Sequence, residues 1–408
     1  MSDDALTDSE QRLVDDAIAF ATTEIEPRAE QWERERRFAS EAFAALPGAG
    51  LTALLVPSAL GGRGVGEVAL ARVLEELAAA DLGAAFSAVV HNNMARAVAN
   101  SGNEHLIGEL LPRLVSGEVI GAFLLTEPGV GSDAAAITCS ATLDGDEWVI
   151  SGSKAWATSA SHAGSLNLYA QTDPQLKHRG IVSIVVDPSL PGVTRLEPYE
   201  LMGAHSMGTG GFEFNEVRVP VANTLAPVGQ AFAGAMVGID LARVLVGAMC
   251  CGMLRRALDT ALAYTAQRQL FGSSVADKQG VQWMLADVAT DLEATRLLTF
   301  RAARQLQDGE DATLTAAHAK KFAARKAQER IADCMQVMGA AGYRRDGDQV
   351  AGGNPLPRHL AAARLTGYID GATEIQNVVI ARRLWDRVPS TATATITTAS
   401  STTGSSAE

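Results

Sequence analysis

The segment "LLTEPGVGSDAAAI" (residues 124–137) divides the chain into two patterns of secondary structure. Before it, apolar residues recur at helical spacing: one helix opens at Asp8 or Ser9 as N-cap, and another ends at Gly83. After it come short alternating or β-branched runs, separated by turn signals such as "DGD" and "PSLPG". The segment therefore marks the passage from a helical zone to an antiparallel β domain.

Long helices return after about residue 230. Their apolar residues step by four, three and four, which predicts one buried stripe of a bundle helix, formed by Val281, Leu285, Val288 and Leu292. We predict an α+β fold that is mainly α, with helical residues 1–121, a β domain over 122–230 and helical residues 231–388. The Ser/Thr-rich tail, 389–408, is expected to be disordered.

Composition narrows the classes of function. The chain has 408 residues, 47% of them apolar, and a net charge of −13, which disfavours binding to nucleic acid or to anionic membranes. Its longest charge-free run, between Arg218 and Asp240, contains two prolines and is no membrane span. The early acids of "MSDDALTDSE" argue against a signal peptide. The four cysteines lack metal-ligand spacing, so we predict no metal site and expect buried free thiols in a reducing cytoplasm.

Four short motifs could bind a ligand, and each also has a purely structural interpretation. In 124–137, Gly129 and Gly131 would let a ligand approach the backbone, although a plain turn explains them equally. In "SGSKAWATSA", Trp156 and Thr158 share one face of an extended strand and suit a planar heterocycle, or Trp156 is simply a core residue. No GxGxxG fingerprint accompanies them.

The other two motifs lie in the C-terminal helical zone. "QRQLFG" presents Arg268 after a helix, where it matches phosphate geometry or forms a surface salt bridge. "QVMGAAGY" places Gly339 and Gly342 at a helix end, either as breakers or as backbone close to a diphosphate.

Taken in order, these motifs resemble the acyl-CoA dehydrogenase family over roughly residues 8 to 388. The resemblance rests on a "TEPGxGSD" loop, then "GxKxWxT", "QRxxFG", "Qxx(G)GxxG" and "(E/D)G(T/A)xEIQ", with further counterparts in "VPSALGGRGVG" and "FEFNEVRVP". It implies a helical N-terminal domain, a β-barrel-like middle domain and a C-terminal four-helix bundle. It also implies FAD between the last two domains, in a homotetramer or homodimer.

The resemblance assigns residues to the flavin and to the substrate. Around the isoalloxazine it implies Phe123, Leu125, Thr126, Trp156 and Thr158, with Gly131 and Ser132 near the flavin and substrate phosphates, and Thr373 and Glu374 covering the flavin. For the adenine-diphosphate half it implies a set that acts partly across a subunit interface, Arg268, Phe271, Gln336 and Gly339. Asp240 and Arg243 would contact the carrier arm of the thioester or order the base.

The catalytic base is where the sequence departs from the family. The usual Glu lies in "YEGT", which is "IDGA" here, and a second family position, in "GLDLER", is Ala242 here. Asp370 is the remaining carboxylate, and it is one methylene, or about 1.5 Å, shorter than Glu. A longer connection, 344–359, and changes from Arg at His205 and Asn377 accompany it. Asp370 could instead be the N-cap of the following helix.

The implied reaction is α,β-dehydrogenation of an acyl-CoA or acyl-carrier-protein thioester, with an electron-transfer flavoprotein as acceptor. A flavin oxidase or monooxygenase stays open, because nitroalkane oxidases resemble this family and use Asp as base. In those enzymes an Arg seven residues later supports the Asp, and Asn377 stands there in this chain. A catalytically degenerate subunit is the third alternative.

Overall fold

The structure, a computed structural model, describes residues 6–346 and 353–385. The predicted tail, 389–408, and residues 347–352 of the long connection lie outside the described residues. Within the described ranges the order helical, β, helical is confirmed. The first helices are α1 (Asp8–Phe20), α2 (Glu26–Glu35), α3 (Ser40–Ala45), α4 (Glu67–Ala80), α5 (Leu82–Ala99), α6 (Glu104–Glu109) and α7 (Leu111–Val115).

Two expected helix boundaries are wrong. The N-cap of α1 is Thr7, not Asp8 or Ser9, because Thr7 and Glu10 form a reciprocal capping box. Gly83 does not end α4: it lies inside α5, where a Cβ would come within 2.1 Å of Ser206 Oγ. Asp81 separates the two helices and caps α5 by accepting a hydrogen bond of 2.9 Å from the Ala84 N–H.

The middle zone is one eight-stranded sheet with the strand order β6-β7-β3-β2-β4-β5-β8, and β1 pairs with β4. Most pairings are antiparallel, as predicted, but β1 runs parallel to β4, from Gly121 opposite Ser165 to Leu124 opposite Leu168. The strands are β1 (Gly121–Leu124), β2 (Ser140–Asp144), β3 (Glu147–Ala157), β4 (Ser165–Gln171), β5 (Ile181–Val186), β6 (Val193–Arg195), β7 (Gly210–Pro220) and β8 (Thr224–Ala226).

The C-terminal helices are α8 (Ala231–Gln267), α9 (Gln279–Gln307), α10 (Thr313–Met338), α11 (Ala340–Tyr343), α12 (Leu356–Leu365) and α13 (Thr373–Leu384). A small hairpin, β9 (Gln269–Leu270) with β10 (Ser273–Ser274), joins α8 to α9. The stripe predicted on α9 is buried at Leu285, Val288 and Leu292, and Val281 packs against it. α8 is long and apolar enough to cross a membrane, but 78% of its most apolar window is buried inside the protein.

Helices and sheet have separate cores that meet around the site. The helical core joins α1, α4, α5, α8, α9 and α10, while the inner face of the sheet forms a second cluster. All four cysteines are buried free thiols, as the sequence predicts. The N-terminal part of α8 lies between the two cores, close to α5 and to the strands, so a cavity there has walls from all three zones.

Candidate active site

Asp370 lies in a strained turn between α12 and α13. Its φ is 50° and that of Gly371 is 89°, both in the left-handed region. The N-cap of α13 is Ala372, and no side chain caps this helix. The interpretation of Asp370 as a helix cap is therefore wrong, and its unusual backbone conformation needs another explanation.

The Asp370 carboxylate faces a cavity of about 430 Å³ and has no hydrogen-bond donor among the described residues. Oδ2 is buried, although the residue as a whole is partly exposed on the cavity side. Burial raises the pKa of Asp370 to about 6, while the positive charges of Lys320 and Arg243 act to lower it. A carboxylate that has no hydrogen-bond donor and a pKa close to neutral pH is well suited to accept a proton.

Lys320 and Arg243 lie next to the turn 366–372 that carries Asp370, which we call the base loop. Lys320 is fully buried on α10, and its Nζ donates to the backbone carbonyl of Gly371. Burial lowers the pKa of Lys320 to about 8, and the Asp370 charge acts to raise it. Arg243 donates to Asp240 Oδ1 at 2.7 Å, and Thr313 Oγ1 donates to Asp240 Oδ2 at 2.7 Å. Asp240 therefore orients Arg243, whose guanidinium lies beside Gly371 of the turn.

Lys320 was not among the site residues predicted from the sequence. It occupies the same helical face as a run of buried alanines on α10, which includes Ala316, Ala319, Ala323 and Ala327. A lysine within such a face cannot reach water without leaving the core. The spacing of these alanines could therefore have identified Lys320 as a buried lysine from the sequence.

The cavity has walls from helices and strands. The aromatic rings of Phe123 and Tyr169 pack with centroids 5.1 Å apart, and next to them Ser183 Oγ donates to Asn167 Oδ1 at 2.6 Å. Other residues that line it are Phe86, Val89, Asn93 and Arg96 of α5, and Gly234, Gly238 and Ala242 of α8. Asp370 thus lines the same cavity as a predicted flavin residue, Phe123.

A separate wall lies at the ends of β1 and β3. The predicted flavin residues there do not line the Asp370 cavity: Leu125, Thr126, Trp156 and Thr158. The Ala155 N–H donates to Thr126 O at 2.9 Å, and Lys154 Nζ donates to Leu125 O at 2.9 Å. The interpretation of Trp156 as a core residue is wrong, because it is 57% exposed and its φ is 58°. An exposed indole with a nearby hydroxyl, Thr158, and two flanking backbone segments fits a planar isoalloxazine ring.

A buried ion pair braces that wall. Lys154 Nζ and Glu127 Oε1 are 2.9 Å apart, and the Glu127 carboxylate also accepts hydrogen bonds from Thr138 and from the Cys139 N–H. These bonds hold the pKa of Glu127 below its usual value although burial acts to raise it. The adjoining turn exposes Gly131 and Ser132, and a Cβ at Gly131 would meet nothing within 4 Å, which leaves room for a ligand.

The remaining predicted flavin residues fall into two groups. Thr373 and Glu374 begin α13, directly after the base loop. The other four are exposed at the far end of the helical bundle: Arg268, Phe271, Gln336 and Gly339. Gln336 is about 24 Å along α10 from Lys320, since 16 residues rise 1.5 Å each. One chain alone does not bring these four residues to the Asp370 cavity.

Two departures from the family pattern lie away from the cavity. His205 is buried against α2, with Nδ1 3.1 Å from Glu33 Oε2, and does not line the cavity. Asn377 is exposed on α13 and makes no side-chain hydrogen bond to a described residue, Asp370 included. Neither residue takes the place of an Arg that supports the base.

Comparison with known proteins finds matches along most of the chain. Sequence models described as the N-terminal, middle and C-terminal domains of acyl-CoA dehydrogenase match residues 7–118, 122–217 and 229–385. A probable acyl-CoA dehydrogenase of Mycobacterium tuberculosis is 34% identical over 90% of this chain and 92% of its own length. The human mitochondrial short-chain specific acyl-CoA dehydrogenase is 33% identical, over 93% and 90%.

Solved structures show the same fold. Butyryl-CoA dehydrogenase of Megasphaera elsdenii aligns with a TM-score of 0.88 at 30% identity, over 93% of this chain and 99% of its own. A chain in the structure of the electron transferring flavoprotein of Acidaminococcus fermentans aligns with a TM-score of 0.88 at 30% identity, over 93% of this chain and 98% of its own. The FAD complex of PigA aligns with a TM-score of 0.86 at 25% identity, over 93% of this chain and 98% of its own.

Proposed function

The chain belongs to the acyl-CoA dehydrogenase family of FAD-dependent oxidoreductases, and from this membership we propose that it catalyses α,β-dehydrogenation of an acyl thioester with Asp370 as the base. The observation that carries the proposal is the unpaired Asp370 carboxylate, which lines the same cavity as Phe123 and has a pKa raised to about 6. FAD, when bound, would supply the acceptor for the hydride that leaves Cβ.

Asp370 would take the α-proton of the thioester. Above its pKa the carboxylate is ionised and free to accept a proton, and after the transfer the neutral acid is the form that burial favours. Lys320 holds the loop in place through the Gly371 carbonyl, and Asp240 orients Arg243 on α8. The positive charges of Lys320 and Arg243 keep the pKa of Asp370 from rising further. The protein would thus supply a base that is strong enough for a weakly acidic proton without a permanent ion pair.

FAD would be held by two parts of the protein. Leu125, Thr126, Trp156 and Thr158 provide the wall for the isoalloxazine. Arg268 and Gln336 lie far along the bundle in the same chain, so we propose that they serve the flavin of a second copy. The assembly is then at least a homodimer, and a homotetramer satisfies the same requirement.

The partners follow from the family. We propose a CoA or acyl-carrier-protein thioester as substrate and an electron-transfer flavoprotein as acceptor, supported by the A. fermentans structure described above. A reducing cytoplasm remains the proposed location, since the four cysteines are free and buried.

An anaerobic titration tests the reaction. The FAD-loaded protein is mixed with short, long, branched, cyclic and aryl acyl-CoAs while the visible absorbance of the flavin is followed. Bleaching by one class identifies the acyl group, and Asp370→Asn should bind the same thioester without bleaching. The exposed Asp308→Asn serves as the matched control and should bleach normally. Full bleaching by Asp370→Asn would remove Asp370 from the mechanism.

The oxidase alternative has its own readout. Reduced flavin that reoxidises in air within the turnover time would favour an oxygen-using reaction. Slow reoxidation that an electron-transfer flavoprotein accelerates would favour the dehydrogenase.

A further inference from the structure

The cavity beside Asp370 changes character along α5. It follows this helix from Phe86 to Asn100, about 21 Å at 1.5 Å per residue. The first part is apolar, with Phe86, Val89 and Val90. The later part adds polar side chains beside Met94 and Ala97, namely Asn93, Arg96 and Asn100. Residues 93, 96 and 100 are spaced by three and four, so they present their side chains on one face.

The polar part of this wall has no partner in the described chain. Arg96 is half-buried, yet it forms no ion pair and no side-chain hydrogen bond with any residue in 6–346 or 353–385. Arg243, by contrast, is paired with Asp240 at 2.7 Å. A guanidinium is always charged and carries five N–H donors, so a half-buried arginine normally has an acceptor. The side-chain amide of Asn93, which is partly buried, likewise has no hydrogen-bond partner among the described residues, while Asn100 is exposed to solvent.

The α8 wall of the cavity leaves room for a ligand. α8 contributes small residues to the same lining, including Ala231, Gly234, Ala235 and Gly238. A Cβ built at Gly234 or Gly238 would meet nothing within 4 Å. An apolar acyl tail would gain little beside Arg96, because the guanidinium would lose water without gaining an acceptor. The space is therefore suited to an acceptor group rather than to a hydrocarbon.

We propose that Arg96, flanked by Asn93 and Asn100, binds an oxyanion of the substrate in this part of the cavity. The inference rests on the proposed function, because it assigns the substrate class of the same site. Two parts of a thioester could carry the oxyanion, namely a carboxylate on the acyl group or a phosphate of the carrier arm. Both accept the forked N–H donors of arginine. The chain carries a net charge of −13, so an anionic substrate needs such a local cation.

The test compares thioesters that differ in one charge. Pentanoyl-CoA and glutaryl-CoA have five acyl carbons each and differ by the terminal carboxylate, while pentanoyl-pantetheine lacks the phosphates. Each is assayed for kcat/KM with wild type, Arg96→Met and Arg96→Lys. Kd is measured from the change in flavin absorbance on binding, with the same three side chains at position 96 in an Asp370→Asn background that does not turn over. Arg113→Met, which removes an exposed arginine paired with Glu118 at 2.7 Å, is the matched control.

If the ligand is the acyl carboxylate, Arg96→Met should raise the Kd of glutaryl-CoA by about 10- to 100-fold and leave the Kd of pentanoyl-CoA unchanged. Arg96→Lys should then restore part of the lost affinity. If the ligand is a phosphate of the carrier arm, Arg96→Met should raise the Kd of both CoA thioesters equally and leave the Kd of pentanoyl-pantetheine unchanged. If Arg96→Met changes none of the three relative to Arg113→Met, the proposal is wrong. Because Kd is measured without turnover, a failure of the proposed reaction is seen separately, as wild-type protein that binds without bleaching.

Discussion

Replacing Asp370 with Asn should abolish turnover and at the same time stabilise the folded protein at neutral pH. The substitution keeps the shape of the side chain and removes the charge of a carboxylate whose Oδ2 is buried without a hydrogen-bond donor. The pKa of Asp370 is raised from 3.8 to about 6, and two pKa units correspond to about 3 kcal/mol of destabilisation of the ionised form. This is an upper value, because the side chain is partly exposed to the cavity.

The sign of the pH dependence follows from proton binding. The folded state holds the Asp370 proton more tightly than the unfolded state, so the stabilising contribution of Asp370 is complete below its unfolded pKa. It is lost as the pH rises through the folded value of about 6. The free energy of unfolding of Asp370→Asn should exceed that of wild type by up to about 3 kcal/mol at pH 8, and by about half as much at pH 5.

Thermal unfolding of the FAD-saturated proteins between pH 5 and pH 8 measures the difference. A domain of 150–250 residues shifts by about 2–4 °C per kcal/mol, so several degrees are expected at pH 8. Midpoints are compared at one scan rate, because a chain of three domains need not unfold in a single reversible step. Asp308→Asn, an exposed carboxylate, should leave the midpoint unchanged. A lower midpoint for Asp370→Asn at pH 8 would refute the reasoning, since it would mean that Lys320 and Arg243 stabilise the anion more than burial destabilises it.

Further predictions address the base, the flavin wall and the assembly. The kcat/KM of wild type should level off above an inflection near pH 6 and fall tenfold per pH unit below it, because Asp370 must be ionised. Lys320→Met should move this inflection upward in a pH–rate profile, since it removes a charge that lowers the pKa of Asp370. Glu127→Gln leaves Lys154 buried without its counter-charge, so we expect a loss of about 3–5 kcal/mol in stability and less FAD retained per chain in the absorbance spectrum. Co-expressed Arg268→Ala and Asp370→Asn chains, each inactive alone, should recover about a quarter of wild-type activity, because one site in each mixed dimer is intact; no recovery would place both residues in one chain's site.

The flavin wall could be proposed from the sequence because its residues belong to local motifs. Thr126, Trp156 and Thr158 belong to two motifs about 30 residues apart, which adjacent strand ends bring together through the bond from the Ala155 N–H to Thr126 O. Motif and geometry therefore coincide at this wall. The exposure of Trp156 could not be derived from the pattern, since alternation along a strand also fits a buried tryptophan.

The polar end of the cavity was not predictable in the same way. Arg96 belongs to an apolar, alanine-rich helix whose pattern indicates only burial on one side. Whether its guanidinium has a partner depends on what α8 places opposite, and α8 follows in the sequence after the whole β domain. The same limit applies to Lys320, which is 50 positions from Asp370 in the chain, so that only the packing of α10 against the loop shows the contact.

The base loop shows why Asp370 can be both well placed and unpaired. Two donors, Lys320 Nζ and Gln376 Nε2, converge on the backbone carbonyl of Gly371, the latter at 2.9 Å. The turn, with its two left-handed residues, is thus held through the main chain, and the carboxylate needs no hydrogen bond of its own to stay in position. Had the same donors bonded the carboxylate, its pKa would fall and its basicity with it. The sequence shows "DGA" and permits a cap, a turn or a base, whereas helices α10 and α13 decide among them by where they direct their donors.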